Sequence, residues 1–104
     1  MKVTFEGLDP AVRKLQALPF PSMPDDDALA DAVSDLSDLS SKMLAVAGRA
    51  GRGEQVWPDQ VPETAPLVLR LQDMHTVGER DIEIYGQAVA YIEALHQVRE
   101  LLVS

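Results

Sequence analysis

Residues 26–47 read DDALADAVSDLSDLSSKMLAVA. Leu29, Leu36 and Met43 stand seven residues apart, and Ala32, Leu39 and Val46 form a second seven-residue series between them. Two interleaved heptad series place one apolar stripe along a helix. Asp31, Asp35 and Asp38 recur at helical spacing on the opposite, polar face. Asp25, Asp26 and Asp27 belong in a first turn, at the positive end of the helix dipole. Gly48, Gly51 and Gly53 follow and supply C-cap options. The stretch is therefore a helix over about residues 26–47, and it sets an all-α fold.

A second, longer apolar series runs from Leu67 to Val103. Leu67, Leu71, Met74, Ile82, Tyr85, Val89, Ile92, Leu95 and Leu102 share one broad helical face. Thr64 is placed to cap this segment, and Pro66 is tolerable only in a first turn. The spacing predicts one helix over about 65–103 and an antiparallel hairpin with the first. At 1.5 Å per residue the two rods span roughly 33 and roughly 55 Å, so the longer one overhangs. The overhang disappears if the N-terminal segment folds back or the long helix breaks. Gly78 and Gly86 are its weak points, each costing about 1 kcal/mol relative to Ala in a helix interior.

Residues 1–24 read as an arm and linker attached to a hairpin domain over 25–104. Asp9-Pro10 is a helix start, and Leu8, Val12, Leu15 and Leu18 follow at helical spacing. Pro19, Pro21 and Pro24 end that helix and favour an extended linker. A helix this short is marginal without docking, so a helical and an extended arm both fit. Met1–Phe5 has the composition of a short strand.

Composition narrows the functional classes. The chain has 104 residues, 46% of them hydrophobic, which suits one small folded domain. Only Phe5, Phe20, Trp57, Tyr85 and Tyr91 are aromatic, so the core is aliphatic. There is no cysteine, which excludes disulfides, thiolate metal sites and thiol catalysis. The net charge of -8 opposes nucleic acid or anionic lipid as a main partner. No apolar run approaches the roughly 18 residues of a membrane span, so no membrane insertion is expected. Glu6 and Asp9 interrupt the N-terminal stretch, which lacks the apolar centre of a cleaved signal peptide. A cytoplasmic location, or export without a cleaved signal, follows as the expectation.

No constellation carries recognisable chemistry. His75 and Glu79, and Glu93, His96 and Glu100, stand at helical spacings that suit metal ligands. The two histidines would lie about 31 Å apart on one helix, and the acids of the first helix face away from its apolar stripe. Edge-of-core histidines with local ion pairing are the better reading. No serine stands in a triad order and no carboxylate pair is singled out. No catalytic residue, metal or cofactor is assigned. Arg49 and Arg52 fall in a glycine-rich loop, where a solvated turn outweighs a phosphate contact. Trp57, the sole tryptophan, is placed to close the open end of the hairpin, and otherwise to anchor a partner.

Pro62-Glu63, Leu69-Arg70-Leu71-Gln72, Met74, a following tyrosine and the terminal Val98-Arg99-Glu100-Leu101-Leu102-Val103-Ser104 resemble inner-rod subunits of type III secretion systems. The resemblance covers the C-terminal third. It implies a small helical subunit, exported without a cleaved signal, that polymerises in a few copies between export gate and needle. It carries over no catalytic residue.

The sequence thus points to a non-enzymatic structural or assembly subunit working through protein–protein packing, with a small regulatory adaptor or chaperone-like binder as the alternative. A metal-dependent helical-bundle enzyme ranks below both. Its partner is a protein or further copies of itself. Spare apolar helix surface is the reason. The candidate interaction residues are Leu29, Leu36, Leu39, Met43, Trp57, Leu71, Ile82, Tyr85, Val89, Ile92, Leu95 and Leu102.

Overall fold

A computed structural model describes residues 8–74 and 77–103. The expected strand at Met1–Phe5, and His75, lie outside the described residues. Among the described residues the fold is all-α, with four helices: α1 (Leu8–Ala17), α2 (Asp27–Gly51), α3 (Ala65–Gln72) and α4 (Ile82–Val103). Two 3₁₀ turns, Pro58–Gln60 and Glu79–Asp81, precede α3 and α4.

The first rod forms as its heptads require. Leu29, Leu36 and Met43 are fully buried, Ala32 and Val46 are buried, and Leu39 is half-buried. Each fully buried large apolar side chain contributes about 1.5–3 kcal/mol. The Asp26 carboxylate accepts the Leu29 N–H at 2.9 Å and caps the helix. The other end differs from the expected stop near Ala47. Gly48 and Gly51 lie inside α2, which ends at Gly51 with Arg52 as its C-cap, and Gly53 follows with a φ of 82°. Gly53 N–H donates to Ala50 O (3.0 Å) and Glu54 N–H to Arg49 O (3.0 Å). These paired bonds close the last turn around a left-handed residue that glycine adopts without a Cβ penalty.

α2 and α3 make the antiparallel hairpin. Arg70 of α3 meets Asp35 of α2 at 2.7 Å, while the start of α3 lies beside the later part of α2, near Leu39 and Lys42. The second rod, expected to be continuous, is divided between Gln72 and Ile82. The chain turns there, and α4 runs back along α3. Tyr85 O–H donates to Leu71 O at 2.6 Å near one end, and Thr64 meets His96 near the other. α4 therefore points the same way as α2.

Asp81 fixes that return. Its side chain is buried, and its carboxylate accepts the N–H groups of Asp25 (3.2 Å) and Asp26 (2.9 Å). These donors lie at the N-terminal end of α2, where backbone N–H groups lack helical partners. Further along, the buried pair Ser40 Oγ and Tyr91 OH meet at 2.7 Å between the same two helices. Gly78 lies in the break, as its low helix propensity allows. Gly86 stays helical.

The arm folds back, so residues 8–24 are not a detached linker. Leu8 and Leu15 of α1 enter the common core with Leu29, Ile92 and Leu95. Pro21 and Pro24 are buried in the connection, and the Phe20 ring stands edge-on to Tyr91 at 5.1 Å. Docking supplies the stabilisation that a ten-residue helix lacks alone.

Replacing Asp81 with Ala leaves two backbone donors without their acceptor. An Asp81→Ala variant is expected to lose about 1–2 kcal/mol of stability, read from the midpoint of urea unfolding at unchanged slope.

Candidate interaction surface

The break and the folded-back arm consume most of the apolar surplus that the sequence displays. Of the candidate interaction residues, Leu29, Leu36, Met43, Leu71, Ile92, Leu95 and Leu102 are buried within the chain. They build the core and present no face to a partner, which corrects their expected role. The expectation assumed two rods only; α1 and the returning α4 supply the extra walls. Leu39, Tyr85 and Val89 are half-buried against the core, with the Tyr85 hydroxyl engaged by Leu71 O. Trp57 and Ile82 remain exposed, at 55% and 57%. Trp57 does not close the hairpin end; Val61, buried in that connection, is the residue that enters the core.

α4 organises what is left outside. Its exposed residues Ile82, Gly86, Ala90, Glu93, Gln97 and Glu100 recur at helical spacing and form one outward stripe. The first half of that stripe is apolar or small, and the second half is acidic. Leu18 and Pro19, where α1 runs into the linker, stand beside the first half. Together with Glu83, Gly86, Gln87 and Ala90 they line an open groove of about 290 Å³. Gly86 is a helix-interior glycine with no internal reason for being one. A Cβ added there meets nothing within 4 Å, and among the described residues the only positive φ belongs to Gly53. Phe20, Met23 and Leu69 are further exposed apolar side chains. Sequence periodicity assigned Ile82 to the core face and missed Leu18 and Pro19. Ile82 is the first residue of α4 and stands outside the contacts that bury Ile92 and Leu95 further along the helix.

A second groove, of about 410 Å³, lies between α2 and α3. Its walls mix Asp35, Asp38 and Glu63 with Lys42 and Arg70, over Leu39 and Leu67. The Arg70–Asp35 ion pair spans it at 2.7 Å. Both partners of that pair are solvated, which limits the bridge to a weak contribution.

One polar chain has the outline of a catalytic relay. Thr64 Oγ1 lies 2.6 Å from His96 Nδ1, and His96 Nε2 lies 3.3 Å from Glu100 Oε1. With Nε2–H facing Glu100 in the neutral ring, Nδ1 accepts the Thr64 hydroxyl. Thr64 is fully buried, so that hydroxyl has no approach for an external substrate. The chain is a strut. It ties the start of α3 to α4, beside the Arg99 Nε–H donated to Pro62 O at 3.2 Å. Thr64 was expected to cap α3 with its side chain; the hydroxyl serves the strut instead, and no side-chain cap bond forms. Glu93, His96 and Glu100 do not converge: Glu93 is exposed, while His96 and Glu100 pair with each other. Among the described residues no cluster of three or more His, Asp or Glu is arranged to hold a metal ion, and no helix is long and apolar enough to cross a membrane.

The residues that carry the rod-subunit resemblance are placed by the same strut. Val98 and Leu102 are buried in the core, Arg99 holds Pro62 O, and Glu100 holds His96. No family model, curated protein or solved structure matches this chain.

Two substitutions separate structural from spare positions. Thr64→Val removes the strut hydroxyl and is expected to cost about 1 kcal/mol. Gly86→Ala is expected to raise stability by up to about 1 kcal/mol, because helix propensity improves and the new methyl group meets open space. Both shifts are readable in thermal and urea unfolding.

Proposed function

We propose that this chain is a non-enzymatic helical binding module that packs against another protein through the outer face of α4. The observation that carries this reading is the groove beside Leu18 and Pro19. There Gly86 and Ala90 of the α4 stripe stay uncovered beside Leu18 and Pro19, while the heptad series of α2 and the inner face of α4 are largely buried. A small domain that leaves an apolar groove open gains by covering it with a partner. The Thr64–His96–Glu100 constellation is spent on holding α3 to α4, which supports binding over catalysis.

Assembly from copies of this chain is a narrower form of the same proposal. Its secretion-apparatus version rests on the C-terminal sequence resemblance. The adaptor form fits the groove between α1 and α4 better, since a short open groove suits one docked segment.

Photo-crosslinking in the native host tests the reading. A benzophenone side chain introduced at Ile82 or Gly86 is expected to give a discrete higher-mass adduct. The same probe at Ser34, on the exposed polar face of α2, is expected to give none. The adduct mass then separates a second 11.4 kDa copy from a different protein. Equal yields from both faces, or no adduct from either, would remove the proposal.

A further inference from the structure

The groove between α1 and α4 has a charge pattern that selects its occupant. This inference rests on the binding reading above and deepens it. Along α4 the acidic residues Glu83, Glu93 and Glu100 are all exposed. Its basic residues are His96, which faces Glu100, and Arg99, whose guanidinium is engaged with Pro62 O and Glu100. The α4 side of the groove runs from Glu83 through Gly86 and Gln87 to Ala90, about 10 Å or two helical turns. It ends where the acidic half of the stripe begins. Glu83 lines the groove itself.

We infer that the occupant is an amphipathic, basic helix of another protein. Its bulky apolar residues sit over Gly86 and Ala90, and its Lys or Arg residues face Glu83 and Glu93. Gly86 lets a large side chain or a backbone approach closely, because no Cβ stands in the way. Two turns of groove suit anchors at i, i+3 or i+4, and i+7 of the incoming helix. On the α1 side Arg13 is paired with Asp9 at 3.0 Å, and Lys14 stands one turn before Leu18. The attraction for a cation therefore comes from the α4 rim. A second copy of this chain is the poorer fit. Docking α4 on α4 would set Glu83 and Glu93 against their own copies, between molecules that each carry a net charge of -8.

Binding of a designed probe tests this directly. The probe is a capped peptide of about 16 residues with Leu at i, i+3, i+4 and i+7 and Lys and Gln elsewhere, long enough to form a helix on docking. Its counterpart replaces every Lys by Glu. Fluorescence anisotropy with the full chain is expected to show saturable one-to-one binding of the Lys peptide only, weakening as salt rises.

Gly86→Leu, which fills the groove, is expected to reduce affinity at least tenfold, with the circular dichroism melt preserved. Glu83→Lys is expected to reduce it about fivefold, the scale of reversing a surface charge pair. Asp31→Lys, on the acidic face of α2, is the control and is expected to change affinity less than Glu83→Lys. Three outcomes would overturn the inference. They are equal binding of the Glu peptide, equal loss with Asp31→Lys, and unchanged affinity in a folded Gly86→Leu variant. If the crosslinks at Ile82 and Gly86 persist while the Lys peptide fails, only the occupant is wrong. If the crosslinks fail too, the surface itself is wrong.

Discussion

Two backbone N–H groups donating to one buried carboxylate hold this fold in its topology. Asp81 accepts from Asp25 and Asp26 at the start of α2. The contact looks unfavourable at first, because Asp25, Asp26 and Asp27 bring three further carboxylates to the same place. Magnitudes decide the sign. Hydrogen bonds to a charged group contribute about 1.5–3 kcal/mol each, and the unpaired N–H groups and helix dipole of α2 favour an anion there. Repulsion between solvated carboxylates is worth less, about 1 kcal/mol or below for each pair, and salt screens it. The attraction wins, and the beginning of α4 is pinned to the beginning of α2.

Once those ends are joined, the remaining geometry follows. α4 must leave in the direction of α2, so it runs back along α3 instead of extending it. The break between α3 and α4 exposes C-terminal carbonyls of α3, and the Tyr85 hydroxyl takes one of them at Leu71. The returning α4 brings Ile92, Leu95 and Val98 inward, where Leu29, Leu36 and Met43 also point. α1 closes the open side with Leu8 and Leu15. The overhang of two unequal rods is thus removed twice, by a shortened second arm and by a covering helix.

Much of this was legible in the residues. The heptads of 29–46 identify α2 and its buried face, the aspartates at 25–27 mark its start, and Asp9-Pro10 and the prolines after Leu18 locate α1, which begins before Asp9, with Leu8 already helical. Gly78 and Gly86 look alike as weak points, yet only one breaks. The difference is tertiary. After Gly78 the sequence offers Asp81 directly before Ile82, and the N-terminus of α2 rewards that carboxylate for leaving the helix. After Gly86 comes Gln-Ala-Val-Ala-Tyr, good enough helix for the intrinsic cost of about 1 kcal/mol to be carried by its neighbours. Asp81 as a start signal was present in the sequence but hidden by the continuous apolar periodicity on either side. Thr64 resisted reading for a similar reason. Local sequence offers it as a cap, and only the fold brings His96 within 2.6 Å to claim its hydroxyl.

The candidate surface became visible by the opposite route, through residues the fold does not explain. Buried leucines are accounted for by the core, Gly53 by its positive φ, and the terminal Arg99 and Glu100 by the strut. Gly86 has no such account; neither has Gly51 at the end of α2, but Gly86 lies in mid-helix and lines a groove. It sits in the middle of α4, pays for a helix it does not favour, and faces open space. A local violation without an internal compensation marks the place where an external one is due. Ala90 one turn later, Glu83 one turn earlier, and Leu18 and Pro19 alongside make that place a groove. In this chain the helix pattern therefore describes the fold, and the departure from the pattern describes where a partner belongs.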